Sequence, residues 1–163
     1  IEEGRVELNL KSIDLLPIVQ SLIDDYQRRA EAKQITLHFQ SLTTPYLALV
    51  DNKTIRQVLD NLISNAIKYS PHGKNVYIRL SQTQQAIRCE IQDEGYGLSQ
   101  ADQKKLFGKF ARLSTKPTGE EHSTGLGLFI VNKLVTAMSG RVWCESKLNH
   151  GATFVVEFST AIG

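Results

Sequence analysis

Asn61, Asn65 and Lys68 recur at i, i+4 and i+7 in the run NLISNAIKYSP, with Tyr69 four residues after Asn65. In a helix this spacing lines two carboxamides and an ammonium along one face, with the phenol beside them. An amide carbonyl oxygen is a hard ligand. It suits Mg²⁺, which takes only one or two protein oxygens beside phosphate and water. An ammonium in the same row suits a phosphate. Taken alone, the row is equally a solvated polar face.

Two further constellations carry chemistry. Asp93-Glu94-Gly95-Tyr96-Gly97 follows a strand-like run. A carboxylate there can accept a hydrogen bond from an exocyclic amine, while the glycines let bare backbone approach a flat ring. Taken alone, it is also an ordinary turn. In TGLGLFIVNKLVTAMSG, Thr124 to Gly140, two glycines open an otherwise apolar helix. Glycines at a helix start let backbone N–H groups approach an anion, where the helix dipole adds partial positive charge. The run is not a P-loop, because no Gly-Lys-Ser/Thr follows. Nor is it the dinucleotide fingerprint, which needs a third glycine and a strand leading into it.

The elements that must position these residues follow from periodicity. Leu15, Ile18, Val19, Leu22, Ile23 and Tyr26 predict an amphipathic helix from Asp14, with Pro17 in its first turn. ITLHF alternates as a strand, and YLALV reads as a second, uniformly buried one. Asp51 is a suitable N-cap for the helix carrying Asn61 and Asn65, whose buried stripe runs from Ile55 to Ile67 and which Ser70-Pro71 ends. NVYIRLS and AIRCEIQD predict a hairpin, QADQKKLFGKF a short helix, and 111–124 a mobile loop. The helix after Gly125 is expected to stop at Gly140, before a second hairpin of RVWCES and ATFVVEF. Strands arriving as hairpins with helices between them favour an α+β class. The expected architecture is a two-layer α/β sandwich, its mixed, mostly antiparallel sheet covered on one face by helices.

The 163 residues are 41% hydrophobic and 22% charged, enough for one domain with a substantial core. A net charge of +2 without a basic stripe gives no reason to expect nucleic acid as a partner. No stretch reaches the roughly 20 apolar residues of a membrane span, and no signal peptide opens the chain. Cys89 and Cys144 each lie in a strand-like run and read as small core thiols rather than a disulfide or a zinc pair. The opening at Ile1, in mid-phrase, leads us to expect a piece of something longer. Residues 1–13 would be the exit of a preceding helical domain with its linker, and 14–163 the domain proper.

Together, these blocks resemble the ATP-binding catalytic domain of sensor histidine kinases. That domain belongs to the wider GHKL superfamily, shared with DNA gyrase and heat-shock chaperones, with a Bergerat-type fold. NLISNAIKYSP resembles the N box, DEGYGL the first glycine box and LFGKF the phenylalanine box. TGLGLFIV resembles the second glycine box and GATFVVEF the last, all in the family's order. The resemblance implies ATP and Mg²⁺. Asn65 would ligate the metal with Asn61 nearby, Lys68 would touch phosphate, and Asn65 and Lys68 would be the catalytic pair. Tyr69 would pack on the adenine side, and Asp93 would receive the adenine amine in a pocket shaped by Gly95, Gly97 and Leu98. Phe107 and Phe110 would anchor a lid and Arg112 would face phosphate. Ser123, Thr124, Gly125, Leu126, Gly127 and Leu128 would surround the phosphates, and Thr153 would support the Asp93 end. His122-Ser123 departs from the pattern, since many relatives carry another glycine there.

Within the superfamily, ATPases place a general-base glutamate one turn before the metal-ligating asparagine. Here that position is Asn61, and Asp60 points about 100° away on the helix. A neutral histidine already offers a lone pair and needs no such base. None of His38, His72, His122 and His150 sits on an exposed helix before an acidic residue, as the family's acceptor does. The resemblance therefore implies a histidine kinase module. Its acceptor would lie on an adjoining dimeric helical domain, and a response regulator receiver domain would be its downstream partner. The expected location is cytoplasmic, without direct membrane contact from this chain and with the parent's anchoring left open. The alternatives are a GHKL-type ATPase and a nucleotide-free module that binds a partner protein.

Overall fold

The computed structural model describes residues 7–41, 45–107 and 127–160. Among these the element order is β1 (Lys11–Asp14), α1 (Leu15–Ala32), β2 (Thr36–Ser41), β3 (Leu47–Val50), α2 (Asn52–Tyr69), β4 (Asn75–Gln82) and β5 (Ala86–Asp93). Then come α3 (Gln100–Lys104), α4 (Gly127–Ala137), β6 (Arg141–Ser146) and β7 (Ala152–Ser159). Five strands form one sheet in the order β2-β4-β5-β7-β6, antiparallel throughout except for the parallel β2–β4 pair. β1 and β3 make a separate antiparallel pair, linked to the end of β7 by a bridge between Ala48 and Thr160. This is the expected α+β sandwich with a mixed, mostly antiparallel sheet.

The helices start where side chains can cap them. Asp14 accepts from the Leu16 N–H at 3.1 Å and from the Tyr46 N–H at 3.0 Å, so it caps α1 and holds the approach to β3 together. Asp51 accepts from the Thr54 N–H at 2.9 Å and its hydroxyl at 2.8 Å, and its other oxygen from the Asn9 N–H at 2.9 Å. These bonds, that of Asn9 first, hold its carboxyl below the usual carboxylate range. The apolar stripe of α2 is buried from Ile55 to Ile67, as its spacing predicts. It packs in one cluster with Ile78, Cys89, Ile91, Phe154 and Val156 of the sheet and Val131 and Val135 of α4.

The other face of the sheet is closed by charge. Glu157 receives Arg88 and Arg141, each at 2.7 Å, and both guanidiniums lie over the Trp143 ring. Arg79 pairs with Glu90 at 2.9 Å. On this face Val155, across from Glu90 and Trp143, is only 1% exposed.

Four details differ from the sequence expectation. Residues Lys11–Asp14 form a strand instead of the end of a linker, because their register comes from β3 and not from any pattern of their own. Leu49 in β3 is 42% exposed, since a two-stranded ribbon leaves one face to solvent. The helix after Ser99 stops at Lys104, although a longer one was expected. α4 ends at Ala137, short of the expected stop at Gly140, and Ser139 takes the left-handed conformation (φ 62°).

Candidate nucleotide site

The C-terminal half of α2, the loop after β5, the start of β7 and the start of α4 converge on one side of the core. Asn61, Asn65, Lys68 and Tyr69 are all half-buried, opposite the α2 apolar stripe. The Asn61 side-chain N–H donates to the Gln57 carbonyl at 3.1 Å. Its oxygen lies 3.4 Å from where a Cβ on Gly127 would stand, so the N-box helix and the start of α4 meet at this residue. Asp60 turns the other way and accepts from the Tyr26 hydroxyl at 2.8 Å. Burial, and then that carboxylate, push the Tyr26 hydroxyl up to about 12.

Asp93 ends β5 and is 6% exposed. One of its oxygens accepts from the Gly95 N–H at 2.8 Å and the Ala152 N–H at 3.2 Å. Burial pushes its carboxyl up to about 6, against those two bonds, which act to lower it. Near neutral pH the site therefore holds a buried carboxylate, which a further donor such as a base amine would stabilise.

The loop beyond Asp93 is gripped from both sides. A Cβ on Gly95 would stand 2.6 Å from the Tyr69 carbonyl oxygen, so only glycine lets the loop lie against the end of α2. Gly97 has φ 73°, and a side chain there would overlap the Lys147 carbonyl. The Asn149 N–H donates to the Tyr96 carbonyl at 2.6 Å, tying the β6–β7 turn to the same loop.

The residues expected on α2, on the loop after β5 and at Gly127 lie on the elements just described. Leu98, Phe107 and Leu128 take their places in or against the core cluster. Thr153 is the correction. Strand alternation sends its side chain to the face opposite Ala152, Phe154 and Val156, and the Asp93 end is held instead by the Ala152 N–H. Phe110, Arg112, Ser123, Thr124, Gly125 and Leu126 lie outside the described residues, as does the loop expected over 111–124. Cys89 and Cys144 are free thiols in strands. Burial, and then the Asp93 and Glu145 charges, push Cys144 up to about 12.

Sequence reasoning missed two residues. Lys33 is buried, and its ammonium donates to the carbonyls of Ile67 at 2.8 Å and Lys68 at 3.2 Å, at the end of α2. The Glu94 carboxylate accepts from the Asn75 N–H at 2.6 Å and its side-chain amide at 3.0 Å. Their partners are distant in sequence; only the adjacency of Glu94 to Asp93 could have marked either.

Comparison with known proteins supplies the family. Residues 50–162 match the family described as histidine kinase-, DNA gyrase B-, and HSP90-like ATPase. The chain is 32% identical over 151 residues to the adaptive-response sensory kinase SasA of Synechococcus sp. (strain JA-3-3Ab), covering 91% of this chain and 40% of SasA. It is 39% identical over 106 residues to the sensor histidine kinase WalK of Bacillus subtilis (strain 168), covering 64% of this chain and 17% of WalK. The crystal structure of full-length ShkA in complex with AMPPNP superposes with a TM-score of 0.82 at 27% identity, covering 97% of this chain and 33% of ShkA. The chain thus spans less than half the length of each of these relatives. It belongs to the histidine kinase-, DNA gyrase B- and HSP90-like ATPase family, as an ATP-binding catalytic domain of the sensor histidine kinase type.

Proposed function

We propose that this domain holds Mg-ATP and passes the γ-phosphoryl to a histidine on an adjoining helical domain, as one part of a two-component kinase. The observation that carries the reading is the arrangement at the start of α4. Asn61, not a carboxylate, faces Gly127, and the neighbouring Asp60 is bonded to Tyr26 on the far side of α2. Neither residue thus offers a general base for water at that point, whereas an imidazole acceptor needs none.

In this reading the buried Asp93 carboxylate receives the adenine amine and Gly95 keeps the pocket open to the ring. Lys68 meets phosphate, and the start of α4 at Gly127 offers backbone N–H groups to the phosphate chain. The donor set fits Mg²⁺: Asn65 offers one hard oxygen, and among the described residues no cluster of three His, Cys, Asp or Glu forms a metal cage. When bound, the ion neutralises phosphate charge. The chain's own residues orient the nucleotide so that the acceptor nitrogen's lone pair can form the new N–P bond as the bond to ADP breaks. Such catalysis is chiefly positioning and charge neutralisation.

The parent would dimerise through its acceptor domain and hand the phosphoryl to a receiver domain, in a cytoplasmic setting. Among the described residues no helix is long and apolar enough to cross a membrane. The test is calorimetric titration of the chain with ATP, with and without Mg²⁺, beside a phosphate-release assay and addition of an acceptor domain in trans. Saturable binding with negligible release, and label transfer to the added histidine, is the expected result. Brisk release would move the assignment to the ATPase branch, and absence of binding would leave only partner docking.

A further inference from the structure

Lys33 and Glu94 stand on opposite sides of the connection between α2 and β4, residues 70–74. On one side the Lys33 ammonium, 6% exposed, binds the Ile67 and Lys68 carbonyls at 2.8 and 3.2 Å. The Lys33 carbonyl also accepts from the Gly73 N–H at 2.9 Å, and three residues on the Thr36 N–H donates to the Lys74 carbonyl at 3.2 Å. On the other side Glu94 holds both the backbone and the side-chain N–H of Asn75, where β4 begins. The Asn75 side-chain oxygen is in turn bonded to the His38 ring at 2.8 Å.

We infer that Lys33 and Glu94 are positioning residues for base recognition: they fix the α2–β4 connection and so set the gap between the end of α2 and the Asp93 pocket. This rests on the proposed reading of Asp93 as the acceptor of the adenine amine.

Three physical points carry it. A buried ammonium is costly unless it is fully bonded, and here it lies at the negative end of the α2 dipole, beside the backbone of Lys68. Glu94 stands between Asp93 and Gly95, so its grip on Asn75 ties the pocket loop to the strand that α2 feeds. Gly95 lies against the Tyr69 carbonyl with no slack, so a shift of residues 70–75 moves the pocket wall relative to Asp93. Both residues act through backbone placed next to the site.

A merely structural role and a positioning role part in one measurement. The 163-residue chain is titrated with ATP and with inosine triphosphate, which carries a carbonyl where ATP carries the amine, and melting is followed in parallel. Two variants, Lys33→Met and Glu94→Gln, are compared with the original chain. The expected result is an ATP affinity lower by about fivefold, the factor for one weakened hydrogen bond, with inosine triphosphate affinity held, so the preference narrows. A lower melting temperature with an unchanged preference would overturn the inference and leave the pair as fold-stabilising groups. Absence of any ATP preference in the original chain would instead overturn the reading of Asp93 itself. Should Lys33→Met fail to fold, Glu94→Gln decides alone, because its side chain is part-exposed and keeps its size.

Discussion

On the proposed reading, binding and stability pull in opposite directions at Asp93. Its carboxyl stands at about 6, against an ordinary 3.8, because burial disfavours the charge. The folded value is raised, so the unfavourable contribution is absent below the ordinary value, grows as pH rises through about 6, and is complete above it. Asp93→Asn keeps an oxygen for the Gly95 and Ala152 N–H groups and removes the charge. Near neutral pH and without nucleotide the variant is expected to be more stable, by up to about 3 kcal/mol, with the gain gone in acid. Urea denaturation at the two pH values checks this. ATP affinity is expected to fall by more than about tenfold, since an amide would face the base amine in place of a carboxylate. In the original chain, ATP affinity should also decline as pH drops through about 6, where the carboxylate becomes protonated. Calorimetry across that range, with Asp93→Asn as the control for the nucleotide's own titration, isolates the effect. A parallel decline in the variant would remove Asp93 from it.

At the scale of elements, α2 joins most of the site to most of the core, and its start is fixed by one side chain. Asp51→Ala removes the cap to Thr54 and also the bond from Asn9, which ties in the segment before β1. A loss of about 1 to 2 kcal/mol is expected from the cap. Exchange at the Asn9 amide should speed up more than exchange in the middle of α2, and hydrogen-exchange protection of both segments would show it. α2 was fully legible in the sequence, because an N-cap, a 3.6-residue apolar stripe and a Ser-Pro stop agree over eighteen residues. The two hairpins were legible for the same reason at period two. β1 was not, since four residues with Ile13 as their one apolar member carry no period. Asn61, Asn65, Asp93 and Gly95 could be read as a candidate site only because the blocks that carry them occur together in one order, since each block alone is equally a polar face or an ordinary turn. Thr153 was misplaced because a single step along a strand reverses the face, and motif order alone does not fix that step. Lys33 depends on a helix end 34 residues away, a contact that only the tertiary fold creates.

Among the described residues one core cluster lies between the helices and the sheet, and the opposite face of the sheet raises the question of what keeps its apolar residues dry. Val155 faces away from the helices yet is 1% exposed, and its cross-strand neighbours on that face are Trp143 of β6 and Glu90 of β5, next to the group that Glu157 gathers. Glu157 binds Arg88 through two guanidinium nitrogens and Arg141 through a third, and both guanidiniums lie over the Trp143 ring. Exposed pairs each contribute little, but a carboxylate shared by two arginines that also lie over an indole holds aliphatic stems as well as charge in place. Those arginines, Arg141 first, hold the Glu157 carboxyl below its usual range. Its folded value is depressed, so its contribution is present above the ordinary glutamate value and is lost as pH falls through the lower folded value. Glu157→Gln should therefore cost about 1 kcal/mol near neutral pH, with a smaller cost in high salt. The difference from the original chain should close in strong acid, where both side chains are neutral. Denaturation of the two proteins over that pH range measures it directly. A gap that persisted in acid would mean that the layer is held by packing on Trp143 and not by the shared charge.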